Sequence, residues 1–160
     1  MTSSSKGVID AKNLLLLHKL LADAKAPQTH LAHALGVGVP KISERISLLK
    51  EMGLIEKFTV DVNYEKLGYP VIGFLTITLK NKKADDEKVF LDFLNRNPYI
   101  IEVHEIFGNN PDFIIKIMCD TPNKLREIGL EISGNDNVED HYFTYPVART
   151  LKSQRGVDIF

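Results

Sequence analysis

Apolar positions in the first third of the chain recur every three or four residues, the spacing of an α-helix. The leucine-rich run NLLLLHKLL predicts a first helix that is buried on more than one side, and Asp23–Pro27 ends it. A second helix is predicted over Thr29–Leu35, with Gly36 as a left-handed stop, and a third over Val39–Met52. Three short helices with a glycine-containing turn before the third are typical of a helix-turn-helix.

The third predicted helix has one apolar and one polar face. Ile42, Ile46 and Leu49 fall on a single stripe that we expect to face the core, while Gly38 suits the N-cap and Pro40 the first turn. The opposite face carries small polar residues with a lysine at each flank. Such a face allows close approach to a DNA groove while the lysines meet phosphates, but it equally suits a helix that faces solvent.

The pattern changes to a period of two after Gly53. LIEKFTVDVNYEKLG alternates apolar and polar residues and predicts a hinge strand, which Gly68–Pro70 ends. The segments that follow have the order strand, helix, strand, strand, helix, strand, which is typical of a ferredoxin-like domain, and the last strand is predicted over Val138–Val147. The predicted buried faces of the two helices are Val89, Phe90, Phe93 and Leu94, and Leu125, Ile128 and Ile132.

These patterns predict an α+β chain of two domains. The predicted parts are a helix-turn-helix (winged-helix-like) domain over residues 8–56, a hinge strand and linker over 57–69, a ferredoxin-like βαββαβ domain over 70–150 and a C-terminal tail over 151–160.

The composition indicates a cellular compartment, and the charges are distributed unevenly along the chain. The 160 residues include a single cysteine, Cys119, which excludes an intrachain disulfide framework and fits a reducing compartment, so we expect a cytoplasmic protein. No apolar run approaches membrane-spanning length, and the start lacks a secretory signal pattern. Residues 1–60 carry eight Lys/Arg and five Asp/Glu, a net charge of +3, which leaves −4 for the rest of a chain of net charge −1. A basic front suits a polyanionic partner, although so small a difference also arises by chance.

The helical region carries a spaced pattern of residues that is followed by the predicted ferredoxin-like domain. The pattern is Ile9-Asp10, Leu16-Leu17, Leu20, Asp23-Ala24, Leu31-Ala32, Leu35-Gly36, Ile42, Arg45-Ile46, Leu49, Gly53 and Ile55. With these residues, nearly the whole chain after the first residues resembles the Lrp/AsnC family of bacterial and archaeal transcription regulators. The resemblance implies a front domain that binds double-stranded DNA and a back domain that senses a small-molecule effector such as an amino acid. It also implies homodimers that assemble into octamers or similar rings, without catalysis, cofactor or membrane.

The resemblance makes the third helix a recognition helix. Gly38 and Lys41 stand where the family usually has serine and threonine, so a phosphate-contacting hydroxyl is lost and Lys41 is its expected replacement. Arg45 is expected at the edge of the core, in a structural or phosphate-positioning role. Glu44 is the only outward side chain able to make a bidentate base contact, so weak sequence discrimination is expected. The DNA-binding candidates are Val39, Pro40, Lys41, Ser43, Glu44, Arg45, Ser47 and Lys50.

The predicted turn over Gly108–Phe113 is the effector-site candidate. Family members typically carry a glycine-x-aromatic-aspartate turn at this position and bind an amino acid beside it. This turn keeps the glycine and the aspartate, but it is one residue longer and has Pro111 in place of the aromatic residue. Asp112 is expected to pair with a ligand ammonium and backbone N–H groups with its carboxylate, although the composition also suits a plain hairpin turn. The effector-binding candidates are Gly108, Asn109, Asn110, Asp112 and His104.

Other functions share features with this sequence. Siroheme decarboxylases resemble the same two-domain architecture, and His104 and Arg149 are the groups that would suit tetrapyrrole chemistry here. A sensor that oligomerises without binding DNA is a further alternative. His30 and His33 have helical spacing for a metal ion, but no cysteine or acid lies near them in sequence, so we expect surface histidines and no metal site.

Overall fold

The chain divides between Asp61 and Val62 into two compact units, and the computed structural model describes residues 9–108 and 110–152. The division falls inside the segment predicted as a linker, residues 57–69. Residues 1–8 and 153–160 lie outside the described ranges, and with them most of the predicted C-terminal tail. Among the described residues, no helix has the length and apolarity needed to cross a bilayer.

Helices form the described part of the first unit. Asp10 caps the first of them by accepting a hydrogen bond from its backbone. The second ends at Gly36, whose φ of 61° and ψ of 45° lie in the left-handed region that glycine tolerates, and Gly38 is the N-cap of the third. The stop and the cap are therefore confirmed, and the ends of the last two helices agree with prediction to within one residue. The three helices are α1 (Ala11–Ala22), α2 (Gln28–Leu35) and α3 (Val39–Glu51).

The core of this unit lies between the three helices. Its α1 residues are Leu16 and Leu20, whereas Leu21 is 65% exposed and the other leucines of α1 are half-buried. Leu15 and Leu17 lie on the two sides of this buried stripe and pack against the same core, so the prediction that α1 is buried on more than one side holds only in part. The buried apolar side chains are Leu16, Leu20, Leu31, Ala32, Leu35, Ile42 and Leu49, with Ile46 packed against them.

The segment after α3 differs from its prediction. Residues 55–63 have no regular secondary structure, and residues 64–68 form a turn. The predicted hinge strand is therefore wrong within this chain, and so is the winged-helix-like character, because the described residues up to Asp61 contain no strand. Alternation alone does not make a strand, since its backbone N–H and C=O groups need a hydrogen-bonded neighbour.

The second unit has the ferredoxin-like fold that the sequence predicts. Its four strands form one antiparallel sheet in the order β2-β3-β1-β4, with β1 paired to both β3 and β4. The last strand is shorter than predicted, and Val138 forms only an isolated bridge with Leu79. The elements are β1 (Val71–Ile77), α4 (Ala84–Asn95), β2 (Ile100–Glu105), β3 (Phe113–Cys119), α5 (Pro122–Ser133) and β4 (Phe143–Pro146).

The sheet buries one face under α4 and α5, and no described helix of this unit packs on the other face. The alternation along β3 is strict, with Phe113, Ile115, Ile117 and Cys119 buried and the residues between them half-buried. The predicted inward residues of both helices join this core, except that Phe93 is half-buried and Val89 is 68% exposed. We define the open sheet face as the other side of the sheet. Its polar residues include Thr76 and Lys116, and its apolar residues are Ile72, Phe74, Ile114, Met118, Phe143 and Tyr145.

Candidate nucleic-acid interface and effector-binding turn

The outer face of α3 is exposed as the sequence predicts. Val39 and Pro40 lie in its exposed first turn, behind the Gly38 cap. The polar candidates along the rest of the face are also exposed to solvent. Two of them, in the middle of the face, are serines, whose short side chains protrude little from the helix. This surface therefore has the shape that a helix needs to approach a groove closely. The exposed polar side chains are Lys41, Ser43, Glu44, Ser47 and Lys50.

Both flanking lysines have partners within the unit. The Lys41 ammonium pairs with the Glu44 carboxylate one turn away, and both side chains are more than half exposed. The Lys50 ammonium lies 5.2 Å from the centre of the Phe58 ring. Exposed ion pairs and cation–π contacts contribute only about 0–1 kcal/mol, so a DNA phosphate can replace either partner at little cost.

Arg45 points away from this face and into the unit. Its Nη1 donates to the Asp10 carboxylate at 2.8 and 2.9 Å and to the Asn13 Oδ1 at 2.6 Å, and the arginine side chain is 14% exposed. The hydrogen bond from Arg45, followed by the backbone N–H of Asn13, holds the pKa of Asp10 below its usual value. Of the two roles predicted for Arg45, the structural one matches this geometry, because the donor reaches a buried amide rather than solvent.

A side chain outside α3 belongs to the same surface. Ser43 Oγ donates a hydrogen bond of 3.0 Å to the Oε1 of Gln28, the first residue of α2. Both side chains are exposed. Gln28 is not among the candidates predicted from the sequence, because all of those lie on α3. No local pattern points to Gln28, because its contact joins two residues that are 15 positions apart in the sequence.

Asp112 is fixed at the base of its turn by four contacts. Its Oδ1 pairs with the Lys82 ammonium at 2.6 Å, and its Oδ2 accepts from the Leu79 backbone N–H at 2.9 Å. Its own N–H donates to Ile77 O and its carbonyl accepts from Ile106 N–H, at 2.8 and 2.7 Å. The Asp112 side chain is 15% exposed. A ligand ammonium that binds the Asp112 Oδ1 would therefore compete with Lys82.

None of the other effector candidates that the structure describes shares a hydrogen bond or ion pair with the Asp112 side chain. Gly108 and Asn110 are exposed, and Asn109 lies outside the described residues. His104 lies on β2, where its Nε2 is 3.3 Å from Glu102 Oε2. The hydrogen bond from Lys116, and to a smaller extent that from His104, lowers the pKa of Glu102. The structure thus places His104 with a strand carboxylate and not with the turn.

The groups that suited enzyme chemistry are dispersed. His104 has a side-chain exposure of 63%, and Arg149 is exposed as well. Cys119 is buried, and burial raises the pKa of its thiol, which disfavours the nucleophilic thiolate. Among residues 9–108 and 110–152, no group of three His, Cys, Asp or Glu side chains is arranged to hold a metal ion.

Comparisons with known proteins agree with this architecture. A family model described as the Lrp/AsnC ligand binding domain matches residues 72–157. The chain is 32% identical over 151 residues to the HTH-type transcriptional regulator FL11 of Pyrococcus horikoshii, a match that covers 94% of this chain and 95% of that protein. It is 24% identical over 152 residues to the leucine-responsive regulatory protein of Rhizobium meliloti, with 94% and 96% covered.

Solved structures show the same fold. The structure of Escherichia coli AsnC matches with a TM-score of 0.81 at 27% identity and covers 92% of this chain and 97% of that one. A feast or famine regulatory protein from Mycobacterium tuberculosis, solved with L-methionine, matches with a TM-score of 0.80 at 19% identity and covers 93% and 98%. None of these relatives is named as an enzyme, and nothing in them favours a siroheme decarboxylase. The chain belongs to the Lrp/AsnC family and is a transcriptional regulator.

Proposed function

We propose that this regulator binds double-stranded DNA through the outer face of α3, as a cytoplasmic homodimer whose back domain binds an amino acid. The observation that supports DNA binding is the exposed outer face of α3, which has small serine side chains in its middle and one lysine at each flank. The lysines are suited to phosphates, and the serines between them allow the backbone to come close to the bases. Affinity that comes mainly from phosphates falls steeply with salt.

The experiment that tests DNA binding measures fluorescence anisotropy of the full chain with labelled duplexes at several salt concentrations. Lys41→Ala and Lys50→Ala together are expected to weaken binding on every duplex and to reduce the salt slope by about two, since each phosphate contact contributes about one. Lys12→Ala and Lys19→Ala together, at two exposed lysines of α1, are the matched control with the same loss of charge and are expected to change the slope little. A double variant that retains the wild-type affinity and slope contradicts the proposed docking face.

Dimerisation through the open sheet face is supported by its composition. Phe143 and Tyr145 are 61% and 54% exposed, and their rings stack with centroids 6.3 Å apart. With Phe74 and Ile114 beside them on paired strands, they form an apolar surface that the two helices leave uncovered. An apolar surface of this kind marks an interaction site in a water-soluble domain, and a self-complementary face satisfies the symmetry of a dimer. Dimers are the unit from which an octamer would assemble.

Light scattering tests the dimer. The wild-type chain, of 18.0 kDa, is expected at twice that mass or at a larger multiple. Phe74→Lys places a charge on the open sheet face and is expected to shift the mass toward 18.0 kDa. Val89→Lys is the matched control, because Val89 is 68% exposed on the outer side of α4. A Phe74→Lys chain that assembles like the wild type places the interface elsewhere.

Effector binding is proposed beside Asp112, with the ligand ammonium in place of the Lys82 ammonium. A fold neighbour is solved with L-methionine, and the Lys82–Asp112 pair shows that this carboxylate accepts an ammonium group. The Lys82 side chain is 58% exposed, so its pair with Asp112 contributes at most about 1 kcal/mol and is displaceable. Lys82 is thus a competitor for the ligand within the chain.

Calorimetry with L-methionine and the other common amino acids tests the effector site. At least one amino acid is expected to bind the wild type, and Lys82→Gln is expected to bind it up to about fivefold more tightly because the competing ammonium is gone. Lys83→Gln, at the next exposed lysine, is the control and is expected to change nothing. Binding that is weaker in Lys82→Gln, or absent from both proteins, refutes this site.

A further inference from the structure

The contact between Gln28 and Ser43 joins two segments of the DNA-binding unit that are 15 residues apart. Gln28 begins α2, and Ser43 lies in the N-terminal half of α3. In a helix-turn-helix, the N-terminal residues of the recognition helix are those that contact base edges. The Gln28 amide is therefore held where α3 itself would read bases.

The geometry leaves the amide able to make the contacts that adenine requires. A glutamine reads adenine by accepting from N6 and donating to N7, which uses both ends of the amide. Gln28 Oε1 has two acceptor sites, and Ser43 Oγ occupies one of them. The second acceptor site remains, and within the described residues the Nε2 group has no hydrogen-bond partner. The serine thus fixes the orientation of the amide without consuming its capacity to bind a base.

The recognition helix has little else with which to read sequence. Its outer face contains no arginine, asparagine or glutamine, and Glu44 is paired with Lys41. Arg45 is turned inward to Asp10 and Asn13. A base reader on this surface is therefore expected from a neighbouring element, and Gln28 is the amide in contact with it.

We propose that Gln28 reads an adenine in the major groove from α2, with Ser43 as the residue that orients its amide. The inference rests on the proposed docking of α3 in that groove. It makes Gln28 a specificity-determining residue and predicts that selectivity resides partly outside the recognition helix. The phosphate contacts of Lys41 and Lys50 then supply affinity without choosing the sequence.

Selection from a random duplex library with the full-length protein, followed by sequencing, tests this role. Wild-type selections are expected to enrich adenine at one position of each half-site at least about fivefold over the other bases. Gln28→Ala is expected to abolish that enrichment while the salt slope of binding stays unchanged. Gln28→Glu is expected to shift the enrichment at the same position to cytosine, whose N4 amino group donates to a carboxylate. Ser43→Ala is expected to weaken the adenine preference without moving it.

The control and the thermal stability separate a base contact from an interhelical contact that only stabilises the fold. Thr29→Ala, at the adjacent exposed residue of α2, is expected to select the wild-type sequences. If Gln28→Ala instead lowers the melting temperature and weakens binding equally on all sequences, Gln28 is structural and the inference is wrong. A Gln28→Glu protein that selects the wild-type sequences overturns it as well. Failure of the wild type to bind any duplex would overturn the proposed docking itself, together with the inference.

Discussion

Replacing Arg45 by methionine tests whether the arginine is an internal support of the DNA-binding unit. The substitution keeps an unbranched apolar side chain and removes the guanidinium. It deletes the Nη1 hydrogen bonds to the Asp10 carboxylate and to the Asn13 side chain. Asn13 is only 4% exposed, so its carbonyl oxygen loses its partner without gaining full access to water.

The expected loss of stability follows from these contacts. A hydrogen bond that involves a charged group contributes about 1.5–3 kcal/mol, and a buried acceptor without a partner costs about 1–3 kcal/mol. The Asp10 side chain is 51% exposed and regains water, so its share is at the low end of that range. The Nε of Arg45 is itself buried without a partner, and its removal relieves a part of the cost. We expect Arg45→Met to destabilise this unit by about 2–4 kcal/mol.

The chain contains a convenient internal control for the measurement. All five tyrosines lie beyond Val62, and the chain has no tryptophan, so tyrosine fluorescence reports the second unit alone. In urea titrations, circular dichroism at 222 nm is expected to show an earlier helical transition for Arg45→Met, while the tyrosine transition stays in place. Lys50→Met, which removes an exposed cation from the same helix, is expected to shift neither transition appreciably. A loss below about 0.5 kcal/mol in Arg45→Met would refute the supporting role.

The same network gives a pH dependence with a defined sign. The pKa of Asp10 is lower in the folded chain than its ordinary value of 3.8 because Arg45 donates to its charged form. A carboxyl group with a lowered folded pKa stabilises the fold at pH values above its unfolded pKa. That contribution is lost as the pH falls below about 3.8 toward the folded pKa. Asp10→Asn is expected to flatten the acid side of the stability profile of the first unit.

Three further substitutions test the packing of each unit. Gly73→Ala places a Cβ 2.6 Å from both terminal methyl groups of the buried Leu125. It is expected to destabilise the second unit by about 1–3 kcal/mol, and an unchanged unfolding free energy by tyrosine fluorescence contradicts this close approach. Ile128→Ala, at a residue 1% exposed, is expected to cost about 2–5 kcal/mol by the same assay, and a cost below about 1 kcal/mol would place it outside the core. Gly36→Ala meets no neighbouring atom, but its φ of 61° predicts a loss of about 1 kcal/mol by circular dichroism, which an unchanged midpoint would disprove.

Local features of the fold were predictable from the sequence because they depend on residues close together in the chain. Gly36 and Gly38 mark the turn between α2 and α3, and Thr121 caps α5 by accepting from the Lys124 backbone N–H. The period of two along β3 identifies its buried face. The alternation of apolar and polar residues is also a short-range pattern, and it led to the wrong prediction of a hinge strand over residues 57–69. Alternation does not show whether a segment has a neighbouring strand with which to form hydrogen bonds.

Features that depend on distant pairs were not predictable in the same way. Lys82 and Asp112 are 30 residues apart, and only the fold brings the basic loop after β1 to the turn between β2 and β3. Arg45 and Asn13 are separated by 32 residues, and no periodic pattern joins them. The candidate site was therefore identified by its position on α3, whereas the partners of its side chains required the structure.

The most direct test of the central claim is affinity purification of sheared genomic DNA from the source organism with the full-length protein, followed by sequencing. Recognition through the outer face of α3 predicts enrichment at discrete sites near the starts of genes, and loss of that enrichment in the Lys41→Ala, Lys50→Ala double variant. Uniform recovery of the genome, or discrete sites that the double variant retains, would contradict recognition of DNA through the outer face of α3.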